Sequence, residues 1–495
     1  MKKIIKNLKK RLKVKLKRKN KIQYKRADGQ LITHLLFNLQ KECRMFQKFK
    51  FEKSFIKMLM ALAIPIILQS LITASLNLLD NIMVGKLGES EIAAVGLSNQ
   101  FYMIFFYSVA GVGMGASIFM SQLWGKKDVK KIHEFLDLSL LISLGVSIFF
   151  AAIALIFPAD IIHIFLNDPT VTSLGVSYLR IVAVSYILSS ITLAYSMALR
   201  STAQTKLPMY GSIVGIAFNG LLNYLFIFGK FGAPKMGVAG AALGTTISRT
   251  MELGFLLFMI YNYNNVIATK FHGLKELSIK KLKEFFKIAS PVIFNDIMWI
   301  LGISTYSIAY AKLGVNATAT MQIAITVNNM FNIFGIGIGA ASAIIIGNKI
   351  GAGLKDEAYS LSIKISQFGV LLGVAIGIIF YFISPLFVGV FKITPETAKN
   401  VITVLKIMAF FIPARFYAII QVIGTLRGGG DVVYAIATEM IGIWIIGIPM
   451  AFAAIHFIPG LSITTLYFII CLEELVKCVI TYPRVMSYKW IRSLV

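Results

Sequence analysis

Cysteine and histidine are nearly missing from this chain, with three of the first and five of the second in 495 residues. Cys43 stands near the N-terminus, while Cys471 and Cys478 share one late apolar stretch, so no extracellular disulfide framework is implied. The histidines are scattered. No His/Cys metal set, no paired nucleophile and base, and no phosphate-cradling G-x-x-x-x-G-K-[ST] run occurs, which argues against an enzyme and against a structural metal or bound cofactor. Acids are scarce too: Asp and Glu number 22 against 50 Lys and Arg. Alternating apolar and polar residues, the mark of a membrane barrel, are also lacking.

What the chain has instead is apolar length. Hydrophobic residues make up 57% of it and the mean hydropathy is +0.76, well beyond soluble domains. Stretches of about 20 apolar residues, each able to cross a hydrocarbon layer about 30 Å thick, recur twelve times between residues 58–83 and 461–482. Their interior Gly and Pro suit membrane helices. The expected fold class is therefore an all-α membrane protein with twelve transmembrane helices.

The net charge of +28 is concentrated near the start, where residues 1–26 carry Lys and Arg among Ile4, Ile5, Leu8, Leu12 and Leu16. Such a pattern fits a helix on anionic lipid, each basic residue contributing about 1 kcal/mol, and a nucleic-acid partner is not expected. By the positive-inside rule the N-terminus is cytoplasmic, and twelve crossings return the C-terminus to that side. Lys126, Lys127, Lys130 and Lys131 agree, whereas Lys230, Lys235, Lys392 and Lys399 fall in loops assigned outward. The expected location is the inner (plasma) membrane.

Offsetting the chain by 226 residues pairs Pro65 with Pro291, Lys86-Leu87-Gly88 with Lys312-Leu313-Gly314, Gly111 with Gly337, Gly113 with Gly339, Gly125 with Gly351 and Pro169 with Pro395. These residues fix backbone shape. The reading is two parallel six-helix lobes related by pseudo-two-fold symmetry, with a cavity between them. The boundaries are a basic arm over 1–50, lobes over 51–262 and 288–483, a cytoplasmic connector over 263–287 and a C-terminal segment over 484–495.

Ionisable groups at bilayer depth are candidates for function because burying them unpaired costs several kcal/mol. Gln69, Thr73, Asn77 and Asp80 are spaced to share a helical face. Asn219 and Asn223, one turn apart, suit a hydrogen bond to an acid on a neighbouring helix. Asn295, Asp296 and Trp299 follow Pro291, Glu439 lies in the eleventh span, and Glu473 and Glu474 in the last, where snorkelling or a cavity would accommodate them. The offset carries Asp80 onto Tyr306 and Asp296 onto Ser70, so the scaffold repeats and the acids do not.

Asn77–Gly88 (NLLDNIMVGKLG), Gly111–Gln122 (GVGMGASIFMSQ), Ala198–Pro208 (ALRSTAQTKLP), Asn219–Gly229 (NGLLNYLFIFG), Asn295–Gly302 (NDIMWILG), Gly335–Gly353, Leu426–Asp431 (LRGGGD) and Trp444–Pro449 (WIIGIP), with Pro65, together resemble the multidrug and toxin extrusion family. That family belongs to a superfamily that includes polysaccharide-lipid flippases. The resemblance covers nearly everything from residue 51 onward. It implies two lobes forming a V and export of small, often cationic organic compounds in exchange for protons or sodium ions. It further implies a proton or sodium site at Asp80, Asn219, Asn223 and Thr245, although one branch has an acid where this chain reads Asn223. Another branch has coupling acids in helices seven and ten, for which Asp296 with Asn295 supplies the first. No acid lies between Glu396 and Asp431 to supply the second. Neutralising Asp80 would let the first helix repack against Asn219 and Asn223 and release substrate. Aromatic faces and adaptable Met side chains suit apolar cations, and the cavity candidates are Gln69, Asn77, Tyr107, Met114, Tyr195, Met197 and Trp299. A monomer is expected. The alternative is a flippase for lipid-linked saccharides, which would need several cavity cations; Arg180, Arg249, Lys406 and Arg415 are available.

Overall fold

The computed structural model describes residues 51–263, 265–270, 278–389 and 393–495. The basic arm, with its lipid reading, lies outside the described residues, as do Lys392 and part of the 263–287 connector. By its contacts the chain divides into a unit ending at Lys57 and a second unit, Met58–Val495. In the described part of the first, Phe51 stacks on Phe55.

Among the described residues thirteen helices follow in order: α1 Lys53–Gly85, α2 Glu89–Lys126, α3 Val129–Ile156, α4 Pro158–His163, α5 Pro169–Ser201, α6 Lys206–Phe228, α7 Val238–Asn262, α8 Ile279–Ala311, α9 Val315–Gly351, α10 Lys355–Val388, α11 Pro395–Arg427, α12 Val432–Phe457 and α13 Ile463–Met486. Twelve are long, and the described residues include no strand. Eleven of the long helices are apolar enough to cross a membrane by composition. The last, α13, breaks the pattern because Glu473, Glu474 and Lys477 lie inside it. The one-and-a-half-turn α4 carries no periodic signal and was not expected.

Caps set the helix starts. Asp168 accepts from the Val171 amide at 2.9 Å and Thr394 from the Thr397 amide at 3.3 Å, each just before a proline at the first helical position, where proline's missing N–H is harmless. The two caps are related by the 226 offset. Asp128, Ser278 and Ser462 cap α3, α8 and α13 in the same way. Two helices loosen into π turns, α11 over Ile420–Arg427 and α12 over Ile441–Gly447, a local widening common where function needs altered side-chain direction.

Each half builds its own apolar core, around Phe105, Tyr186 and Leu179 in the first and around Phe380, Phe416 and Leu466 in the second. The chain is an all-α membrane protein of two parallel lobes. Their seam obeys the pseudo-two-fold closely. Gly125 of α2 lies flush against Asn348 and Ala352 of α9, while Gly351 lies flush against Gln122; Gly111 faces Ile293, and Gly337 faces Ile67. Each contact maps onto its mate by the sequence offset. A side chain at Gly125 or Gly351 would drive into the opposing backbone, so the close approach requires glycine there. All four contacts fall in the halves of α2 and α9 nearer their C-termini, toward the basic end of the bundle that carries Lys126, Lys127, Lys349 and Lys355.

The last residues reinforce that closure. The Gln122 side chain donates to the Arg492 carbonyl at 3.1 Å and accepts from the Leu494 amide at 2.9 Å. Asp431 receives Arg484 at 2.7 Å and Arg492 at 2.8 Å. Trp490 is fully buried and donates to the Val485 carbonyl. A segment following the second lobe is thereby fastened to a helix of the first.

Candidate functional site

Five residues before the end of α1, Asp80 accepts a 2.5 Å hydrogen bond from Asn223 of α6. Asn223 also donates to Asn219, one turn away, at 3.2 Å, and Asn219 donates to Thr245 of α7 at 3.4 Å. Asn219 and Asn223 are buried. The close fit comes from Gly244, whose missing side chain leaves room for the Asn223 carboxamide. The Asn223 side-chain oxygen accepts no hydrogen bond, leaving a buried acceptor beside a carboxylate. The arrangement gathers side-chain oxygens from three helices, donors of the kind a hard cation takes, while a proton needs only the Asp80 carboxylate.

Below this group a chain of polar side chains runs toward the basic end. Arg249, one turn along α7 from Thr245, pairs with Glu252 at 2.7 Å. Glu252 accepts from Ser212 at 3.1 Å, Ser212 accepts from Gln69 at 3.1 Å, and Gln69 accepts from Arg200 at 2.6 Å. Gln69 thus belongs to the interior of the first lobe rather than to a wall facing substrate. The expected α1 stripe splits: Gln69 and Asp80 bond into the lobe, while Thr73 and Asn77 are exposed. Glu252 and Arg200 were missed because their significance depends on partners distant in sequence.

Asp296 and Asn295 of α8 lie apart from the Asp80 group. The Arg427 guanidinium donates to Asp296 at 3.3 Å and to the Met114 sulfur of α2 at 3.0 Å, and Asn295 donates to Asp296 at 3.4 Å. Asp296 is therefore already neutralised by an arginine at the lobe seam. Tyr107 of α2 is half-buried, and Trp299 is exposed one turn on from Asp296. Tyr195 does not line a cavity: it is buried in an apolar cluster and shares a 2.9 Å hydroxyl hydrogen bond with Tyr261. Met197 packs on Gly113. A groove of about 490 Å3 lined by Val370, Pro413, Tyr417, Cys478 and Tyr482 contains none of the candidate residues.

Glu473 and Glu474 neither snorkel nor stand alone. Lys477 lies 3.2 Å from Glu473, 3.9 Å from Glu474 and 4.0 Å from Glu439, Arg415 reaches Glu474 at 2.9 Å, and the Tyr306 hydroxyl donates to Glu473. The i, i+3 and i, i+4 spacing to Lys477 was the available signal for part of this cluster.

A family model described as MatE matches residues 65–225 and 291–453, well over half the chain. The chain belongs to the MatE family. The two matched stretches begin at the repeat-related Pro65 and Pro291, so each copy of the MatE unit corresponds to one turn of the internal repeat. The MatE chain is 27% identical over 446 residues to the uncharacterized transporter YisQ of Bacillus subtilis, covering 88% of this chain and 95% of that one. It is 25% identical over 405 residues to the probable multidrug resistance protein NorM of Thermotoga maritima, covering 81% and 86%. Among solved structures, MATE in complex with MaL6 superposes with a TM-score of 0.79 at 17% identity over 88% of this chain and 97% of that one, a likeness in fold. At the level of the family, MatE proteins are transporters and not enzymes.

Proposed function

We propose that the chain is a secondary antiporter that exports small, often cationic organic compounds in exchange for protons or sodium ions, by rocking of its two lobes in the inner membrane. The basic end is read as cytoplasmic from the positive-inside rule, with both termini on that side. The seam closed at that end by Gly125, Gly351 and the Gln122 clamp then corresponds to a state open to the outside. The observation that carries the reading is the Asp80–Asn223 pair, an acid at membrane depth held by amides of another helix with one amide oxygen left unpartnered. A cation arriving there neutralises the charge and changes how α1 packs on α6 and α7. One elementary charge moving inward supplies about 2.3 kcal/mol per 100 mV.

No bound cofactor or structural metal enters this mechanism, and the chain is taken as a monomer without a nucleic-acid partner. Tyr107, Met114 and Trp299 remain candidates for the substrate wall; Asn77 faces outward from α1 and joins them. The flippase reading is less favoured because three of its four cations, all but Arg180, are committed elsewhere. Arg249 and Arg415 are paired with glutamates and Lys406 lies over the Tyr381 ring at 4.9 Å. Ethidium flux in proteoliposomes under imposed proton or sodium gradients tests the proposal. Gradient-driven flux lost in Asp80→Asn is expected; flux indifferent to both gradients would refute the antiport.

A further inference from the structure

We infer that Trp490–Val495, the segment following α13, is a releasable latch across the lobe seam: the second lobe holds it throughout, and Gln122 of the first lobe grips it only while the basic end is shut. This role depends on the rocking of the lobes proposed above, and it sets the balance between the two states.

The route of the chain shows which lobe owns the segment. After α13 ends at Met486, Tyr488 takes a left-handed conformation (φ 60°) and its ring stacks on Tyr359 of α10 at 3.9 Å. The Gly428–Gly430 run between α11 and α12 then forms the seat. Gly428 lies flush against Ala343 of α9, Gly429 against the Trp490 ring, and Gly430, itself left-handed at φ 83°, against the Arg492 carbonyl and Leu494. A side chain at Gly429 would enter the space that the indole fills, so the glycine run keeps the seat open. The Gly429 carbonyl accepts from the Arg492 amide at 2.9 Å, and the Arg492 guanidinium meets buried Asp431 at 2.8 Å, an acid it shares with Arg484. All these partners belong to the second lobe.

The grip of the first lobe differs in kind. Gln122 donates to the Arg492 carbonyl and accepts from the Leu494 amide, so one carboxamide reads two main-chain groups as an added strand would. Leu494 packs against a small cluster drawn from both sides of the seam, Ile118 of α2 with Val292 of α8 and Val432 of α12. Val495 packs against a cluster that includes Met120 and Leu123 of α2. The segment is thus held to its own lobe by a salt bridge, a buried indole and a stacked ring, and to the other by two amide hydrogen bonds and apolar contact. Gln122 also lies against Gly351, where α2 and α9 approach most closely. Parting those helices draws Gln122 off the segment and breaks both bonds together, and water can replace them at the basic end. A contact made in one state alone biases the equilibrium toward that state.

Distances between spin labels at Lys126→Cys of α2 and Lys355→Cys of α10, both exposed at the basic end, test this in the full chain with its three native cysteines changed to alanine. The long-distance population should rise about fivefold or more in Gln122→Ala. It should rise also in Leu494→Pro, which deletes the amide that Gln122 accepts from and keeps an apolar side chain. The double variant should match Gln122→Ala alone, because both changes act on one contact. If Gln122→Ala does not fold, Leu494→Pro, which lies outside the helices, decides. Asp80→Asn, acting through the ion site, should shift the same distribution with the latch intact. A shift in Asp80→Asn with none in Gln122→Ala or Leu494→Pro would overturn the latch and leave the antiport reading standing, and additive effects of the two latch substitutions would equally overturn it. One unchanging distance in every variant would refute the rocking itself, and the latch with it.

Discussion

Asn223 of α6 donates to Asp80 of α1 across 2.5 Å, joining two helices whose sequences lie 143 residues apart. A hydrogen bond to a charged group contributes about 1.5–3 kcal/mol. Replacing Asn223 by Leu should therefore shift the half-saturating coupling-ion concentration by at least about tenfold and also lower thermal stability, because Asp80 loses its donor. Ion-dependence curves of ethidium flux in proteoliposomes provide the check. A curve that superposes on wild type would remove Asn223 from the site.

At the seam, Gly351→Leu should prevent α9 from settling on Gln122. Overpacking of this kind costs about 1–3 kcal/mol, and here it acts on the closed basic end alone. A cysteine placed at Ser121 of α2, buried against Gly347 of α9 across the seam, should then react with a soluble maleimide markedly faster than in the glycine parent.

The Gln122 clamp makes a smaller, local prediction. Gln122→Ala removes two hydrogen bonds to the C-terminal segment, each worth about 1 kcal/mol. Exchange of the Leu494 amide in deuterated buffer should accelerate by about tenfold or more, with exchange in the core of α5 unchanged.

Arg415→Ala should be among the most damaging single changes. It strips Glu474 of its 2.9 Å partner inside the membrane, and breaking a buried pair from one side costs about 3–5 kcal/mol. Thermal unfolding in detergent should fall by many degrees, and Arg415→Ala with Glu474→Gln should recover much of the loss. Failure of the double variant to recover would show that Arg415 acts through packing instead.

Tyr195→Phe separates a core residue from a cavity residue. Loss of the hydroxyl bond to Tyr261 should lower stability by about 0.5–1.5 kcal/mol, with ethidium affinity unaltered. An affinity change without a stability change would return Tyr195 to the cavity wall.

Much of the architecture was legible from one strand of text. Apolar runs set the number of helices, because only a helix satisfies its own backbone in lipid. Glycines and prolines related by one offset revealed the repeat, since those residues constrain backbone rather than substrate. Asp80, Asn219 and Asn223 were legible as polar exceptions, and Asn223 as a donor to an acid because two amides one turn apart suit such a partner.

What tertiary structure decided was pairing. Nothing in the spacing of Asp296 shows that Arg427 neutralises it, or that Gln69 spends its amide on Arg200 and Ser212. Glu439, Glu473, Glu474, Lys477 and Arg415 come from three helices, and their shared charge exists only once those helices pack. Sequence fixes which groups must escape lipid, since the cost of burial belongs to each side chain. Which partner each finds depends on distances across helices, and those arise only when the lobes fold.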